Sequence, residues 1–140
     1  MPYARKLAEL FEEEDKAKAL AAHLMKAAQT SPEAAAAERE SFAEFLRGPM
    51  EQHMAYEERA IFPQLEAHGL AAEVQVAKKH HEAVREAAEA LRNPGTNADI
   101  ARIIFETARL MIHHTNFEGD YIYPELSHNE WIDLMKETMR

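Results

Sequence analysis

Two stretches of the chain repeat one pattern. Residues 53–65 read HMAYEERAIFPQL, and residues 114–126 read HTNFEGDYIYPEL. Aligned without gaps, they pair His53 with His114, Glu57 with Glu118, Ile61 with Ile122, Pro63 with Pro124 and Leu65 with Leu126. Tyr56 meets Phe117, and Phe62 meets Tyr123. Each stretch is a His-x-x-x-Glu followed by an apolar pair and a proline. On an α-helix, residues four apart share a face, so each stretch aims an imidazole and a carboxylate at one point. A repeat of supersecondary size implies two related halves. The fold must therefore be one that brings two such helical segments together.

The rest of the chain agrees with helices. Four glycines and an abundance of Ala, Glu, Leu and Lys predict an all-α chain, and no stretch alternates with the period of a strand. Helix one is expected over about Tyr3 to Gln29, ended by Thr30-Ser31-Pro32, with Ser31 as the N-cap of the next helix and Pro32 at its first position. Helix two covers about Pro32 to Ala67, with a kink at Gly48-Pro49, a disturbed last turn at Pro63 and Gly69 as a left-handed cap. Helix three covers about Leu70 to Arg92. Asn93 to Asn97 form a turn, with Asn97 as cap of helix four, which loosens near Gly119 and ends before Pro124. A short final helix, about Asn129 to Met139, carries Trp131, Leu134 and Met135 over one end. Four long helices with short turns predict an antiparallel up-down-up-down four-helix bundle with a short C-terminal helix. Residues 1–140 are expected to form a single domain, which at this length buries roughly two-thirds of its unfolded surface.

A net charge of −9 argues against nucleic acid as a partner. No apolar run approaches the roughly 20 residues of a membrane span, and the charged N-terminus lacks the apolar stretch of a signal peptide. Without cysteine there is no disulfide framework, zinc–thiolate site or thiol chemistry. A cytoplasmic setting is the default expectation, and nothing in the sequence signals an oligomer.

Helical angle, about 100° per residue, decides which of the eight histidines face the core. His53 shares its face with Leu46, Met50, Glu57 and Ile61. His114 sits with Ile103, Leu110, Met111 and Glu118. His81 is flanked by Leu70, Val74, Ala77, Val84, Ala88 and Leu91, whereas His80 lies at the stripe edge, on the surface or behind a ligand. On helix one the stripe is Leu7, Leu10, Phe11, Ala17, Ala21 and Leu24, and its centre is Glu14. His23 lies on the opposite side. Superposing helix one on helix three aligns Glu14 with His81, Ala17 with Val84, Ala21 with Ala88 and Leu24 with Leu91.

Glu14, His53, Glu57, His81, His114 and Glu118 thus converge on the bundle centre. A mixed imidazole–carboxylate set suits iron, manganese or zinc, and carboxylates from different helices can bridge two ions. Three carboxylates buried without a cation would be costly. A lone core histidine is more often structural than a ligand, but two His-x-x-x-Glu units in mid-stripe, joined by His81, favour a metal site. His23, His68, His80, His113 and His128 are read as surface, helix-end or loop residues. Tyr56, Tyr121 and Tyr123 are read as packing residues, with Tyr56 a neighbour of the ligand Glu57, and Met50, Met54 and Met111 as core filler.

These motifs resemble the hemerythrin-like (HHE cation-binding) domains, whose pattern is His on helix one, His-x-x-x-Glu on helix two, His on helix three and His-x-x-x-Glu on helix four. Ile61-Phe62-Pro63 and Ile122-Tyr123-Pro124 match the family's apolar-aromatic-proline ending. The resemblance covers nearly the whole chain. It implies a non-haem centre of two iron ions with an oxo or hydroxo bridge, with His53, His81 and His114 as terminal ligands and Glu57 and Glu118 as bridges. It further implies a protein that binds or senses dioxygen or a related small ligand, or handles iron. The departure is helix one, where the expected histidine is either replaced by Glu14 or displaced to His23; the helical register favours Glu14, and an extra carboxylate there shifts the site toward ferritin-like character, away from reversible dioxygen carriage. No acid–base pair stands apart from the ligand set, which favours a binding role over the alternatives: an enzyme acting on peroxide or nitric oxide, or a helical interaction module without metal.

Overall fold

The computed structural model describes residues 2–138, with side chains from Ala4 onward. The fold is all-helical, with no strand among the described residues. Helix α1 spans Pro2–Thr30. A second rod is built from α2 (Pro32–Ala37), α3 (Arg39–Phe45), a π-helical turn (Leu46–Met50), α4 (Glu51–Tyr56), a second π-helical turn (Glu57–Ile61) and α5 (Phe62–Ala67). Helices α6 (Ala71–Ala90) and α7 (Asn97–Tyr121) follow, then a 3-10 turn (Tyr123–Glu125) and α8 (His128–Thr138). The expected end of the last helix at Met139 lies outside the described residues.

The helix ends have local causes. The Ser31 hydroxyl accepts from the Ala34 amide at 3.0 Å, and Pro32 follows at the first helical position. Gly69 takes φ 90°, a conformation that a Cβ disfavours, and turns the chain from α5 into α6. Helix α7 differs from expectation at its start: Thr96, not Asn97, is the cap, in a reciprocal capping box with Asp99. Asn97 is the first helical residue. Ser127 and Glu130 cap α8 in the same reciprocal way.

The second rod is interrupted at the two expected prolines. Pro49 lies inside the first π turn, and Pro63 follows the second. A proline has no N–H for the carbonyl four residues back, so Pro63 leaves the Arg59 carbonyl without its helical donor. Beside it the ladder widens, and the Phe62 amide bonds the Glu57 carbonyl five residues back. Such π turns recur at functional sites, and this one begins at Glu57.

The core falls into two apolar clusters. One contains Ala17, Ala21, Leu24, Met50, Met54, Val84, Ala88, Ile104, Ala108 and Met111, among others. The other contains Leu7, Leu10, Ile61, Phe62, Leu65, Val74, Ala77, Ile122, Trp131, Leu134 and Met135. Between them along every rod sits a polar interruption: Glu14 on α1, His53 and Glu57 on the second rod, His81 on α6, His114 and Glu118 on α7. Helix α8 closes the second cluster, packing on α1 and α5, and the Trp131 indole donates to the Tyr123 carbonyl at 2.9 Å. The predicted stripes are buried, with exceptions on α1 and α7. Phe11 is 36% exposed, its ring edge-on to Tyr123 at 4.8 Å rather than in the core. On α7, Ile103 and Leu110 flank the stripe, which runs through Ile100, Ile104, Ala108 and Met111. No helix among the described residues is long and apolar enough to cross a membrane.

Candidate metal centre

The six predicted side chains lie between 0% (His81) and 7% (Glu14) exposed, too little for water to solvate their charges. They converge. Glu57 Oε1 stands 3.4 Å from His53 Nε2 and 3.4 Å from His81 Nε2, so one carboxylate oxygen faces two imidazoles from different rods. His53 Nε2 is also 3.5 Å from Glu14 Oε1. On α7, His114 Nε2 and Glu118 Oε1 approach to 2.5 Å. Two groups of three emerge, Glu57–His81–His114 and Glu14–His53–Glu57, and within each the three donor atoms lie within 4.8 Å of one another. Glu57 belongs to both. His23 is not in either group; it pairs with Glu38 at 3.1 Å on the surface.

The donors fit a metal by their unmet polarity. Among the described residues, eight buried side-chain nitrogen and oxygen atoms have no hydrogen-bond partner, and six belong to this layer: both His53 nitrogens, Glu57 Oε1, His81 Nε2, His114 Nε2 and Glu118 Oε1. Buried polar atoms are normally satisfied, so their convergence points to a cation. The titration behaviour agrees. Burial, with Glu118 adding its charge, pushes Glu14 up to about 7. Burial and the charges of Glu118 and Glu14 push Glu57 well above the carboxylate range. Burial alone would raise Glu118 too, but His114 beside it outweighs that and holds it at about 2. Three carboxylates sharing one dry volume cannot all ionise unless positive charge sits among them.

Two of the three core histidines have a hydrogen-bond partner behind them, and a carboxylate stands near the third. His81 donates its Nδ1–H to Glu58 Oε2 at 2.8 Å, which leaves the Nε2 lone pair facing Glu57. Glu58 is held by Arg85, whose guanidinium bonds both Glu58 and Glu51 at 2.8–2.9 Å. Burial would raise Glu58, but Arg85 and His81 outweigh it and keep it ionised. His114 Nδ1 shares a 2.9 Å hydrogen bond with His80 Nδ1. Burial and the charge of His114 depress His80 to about 4, so it is neutral at physiological pH. Glu13 Oε2 stands 3.5 Å from His53 Nδ1. Glu13 thus relates to Glu14 as His80 relates to His81: one position earlier, behind the histidine of the neighbouring rod.

His80 is accordingly a partner of a candidate ligand rather than a bystander, and Tyr123 is more than packing. The Tyr123 hydroxyl reaches Glu14 Oε1 at 2.7 Å and Glu118 Oε2 at 3.2 Å. Burial and the carboxylates around it push its ionisation well above the usual phenol range, so it remains a donor. The repeat carried the signal, since Tyr123 adds a hydroxyl where Phe62 has none. Tyr56, by contrast, makes no bond to the layer; its ring carries Lys6 Nζ at 4.3 Å from the centroid.

A cavity of about 220 Å³ opens beside the layer, between Ala17, Phe45, Pro49 and Met50, and reaches Glu14, His53 and His114. It gives a small molecule an apolar route to the donors. Met54, Ile61, Met111 and Ile122 close the layer elsewhere, each 5% exposed or less.

Two expectations follow for metal titrations. Glu58→Ala should lower affinity by about 10- to 100-fold while the circular-dichroism spectrum stays helical, because an outer partner orients its ligand without bonding the ion. His23→Ala should retain the full metal complement, and Glu14→Ala should lose part of it. The opposite result would move the α1 ligand to His23.

No curated protein and no solved structure matches the chain significantly. The family model for the hemerythrin HHE cation binding domain matches residues 5–99. The match takes in Glu14, His53, Glu57 and His81, and the His114–Glu118 unit lies beyond it. Spanning well over half of the sequence, it agrees with the cation-binding donors that the helices gather, and the chain belongs to the hemerythrin HHE cation-binding domain family.

Proposed function

We propose that residues 1–140 form one hemerythrin-like domain whose centre holds two iron ions and binds dioxygen or a related small ligand, in sensing, transport or iron handling. The observation that carries this reading is the pair of donor triads joined at Glu57. Glu14 and His53 would hold one ion, His81 and His114 the other, with Glu57 available to both. Glu118, beside His114, is the second bridging carboxylate. Iron bound there supplies the redox-active, ligand-binding centre, for which manganese or zinc are the alternatives in this donor set.

The protein's own groups prepare that centre. His81 and His114 are held with Nε2 inward by Glu58 and His80. The two apolar clusters exclude water from both sides, and the cavity beside Met50 admits a small ligand. The architecture we propose is an antiparallel up-down-up-down four-helix bundle with α8 across one end. The order of the clusters supports it: α1 and α6 run from the Leu7–Trp131 cluster to the Leu24–Met111 cluster, and the second rod and α7 run the other way.

The test is spectroscopic. Protein from iron-supplemented cells should contain iron and show near-ultraviolet ligand-to-metal absorption that changes when oxygen is removed and readmitted. Iron-loaded protein whose spectrum ignores oxygen would overturn the dioxygen reading and leave iron handling.

A further inference from the structure

The two halves of the centre differ at two positions that the repeat places in correspondence. His81 of α6 corresponds to Glu14 of α1, and Phe62 corresponds to Tyr123. The structure shows that the members of each pair touch. Phe62 stacks on the His81 ring, with centroids 5.3 Å apart and planes 22° from parallel. Tyr123 bonds Glu14 through its hydroxyl at 2.7 Å. Where the donor is an imidazole, its neighbour is a bare ring. Where the donor is a carboxylate, the same neighbour carries the hydroxyl that a carboxylate can accept from. Four residues thus form two matched pairs rather than one pair and one accident.

We propose that Tyr123 is the positioning residue that makes a carboxylate workable at Glu14, and that the Glu14–Tyr123 pair gives the Glu14–His53–Glu57 position a harder, more oxygen-rich character than the Glu57–His81–His114 position. Glu14 needs such a partner. A glutamate has a longer and freer stem than a histidine ring, so ordering it costs more rotamer entropy. Among the described residues, no side chain of its own helix bonds its carboxylate. Tyr123 is itself fixed: its carbonyl accepts from Trp131, and its ring packs edge-on against Phe11 and against Trp131. Its 3.2 Å approach to Glu118 Oε2 is the longer of its two contacts, so Glu14 is the carboxylate it chiefly orders. The outer groups carry the same asymmetry. His81 is backed by Glu58, whereas the position corresponding to Glu58 is Gly119, which offers Glu14 no side chain. The hard-donor position should favour Mn²⁺ relative to Zn²⁺, and the imidazole-rich position the reverse.

The inference rests on the two-ion reading, and a four-protein titration separates the two. Metal-free wild type, Tyr123→Phe, Glu14→His and the double variant are dialysed against Mn²⁺ under nitrogen, and bound metal is counted per chain. Phenylalanine preserves the ring packing, and circular dichroism checks that each variant stays helical. Wild type should bind two ions unequally. Tyr123→Phe should keep one and weaken the other by about 10- to 100-fold, the effect of losing a partner that orients a ligand. In the Glu14→His background, removal of the hydroxyl should change affinity by less than about threefold, because the carboxylate it served is gone. An equal penalty in both backgrounds, no penalty in either, or an equal weakening of both ions overturns the pairing. A wild type that binds fewer than two ions contradicts the two-ion reading, and this inference with it.

Discussion

Glu57→Gln should abolish metal binding at both positions at once. No other side chain is common to the two triads. Its Oε1 faces His53 and His81 at the same 3.4 Å, so a neutral amide there removes the anionic donor from each ion. Four-ligand protein sites bind metal with apparent energies of about 10–16 kcal/mol, or roughly 3 kcal/mol per ligand. The substitution should therefore lower affinity about a hundredfold or more at each position. It should not unfold the chain. Glutamine keeps the volume and removes a charge that burial and the neighbouring carboxylates already disfavour there. Equilibrium dialysis gives the affinity and a thermal melt gives the stability. Loss of one ion with retention of the other at full strength would show that Glu57 serves a single position.

The second large effect is the dependence of the metal-free protein on pH. Glu14 titrates at about 7 in the folded chain and at 4.5 when unfolded. Glu57 is likewise raised well above its ordinary value, again chiefly by burial. Burial would lower His53, but its contact with Glu14 and that residue's charge outweigh this and lift it above 6.5. Above pH 6.5 the folded chain therefore binds more protons than the unfolded one, and stability falls as pH rises. Glu14 alone contributes on the order of 3 kcal/mol across its window, which corresponds to roughly 10 °C in Tm. Below 6.5 the trend is opposed. Burial and the charge of His114 depress His81 to about 4, and burial does the same to His80, so there the unfolded chain takes up protons first. Metal reverses the alkaline decline, because bound cations need these donors deprotonated. The Tm difference between metal-loaded and metal-free protein should widen as pH rises from 6.5. A metal-free Tm that climbs over that range would show that the carboxylates are not held as described.

Much of this site was legible because helical periodicity is a strong signal. All six predicted donors are buried and gathered in one layer, Glu14 included, although nothing but its angle on α1 marked it. The features that escaped depend on side-chain reach or on single turns of backbone. Thr96 and Asn97 are both good caps by residue type, and only the reciprocal bond from Asp99 decides between them. Phe11 lies on the edge of its stripe, where a few degrees of rotation separate core from surface. The π turns at Pro49 and Pro63 were expected as kinks, but a missing N–H does not state how the ladder closes around it. Glu58, Arg85 and His80 act from behind the ligands, at positions that periodicity marks as ordinary helix flanks. The Tyr123 hydroxyl was visible in the repeat, and its meaning emerged only once Glu14 stood 2.7 Å away.

Anomalous diffraction at the iron edge, from crystals grown with iron, tests the central claim most directly. Two peaks are predicted inside the bundle, one among Glu57, His81 and His114 and one among Glu14, His53 and Glu57. Iron found only at surface groups such as His23 and Glu38, or no peak in the buried layer, would contradict it.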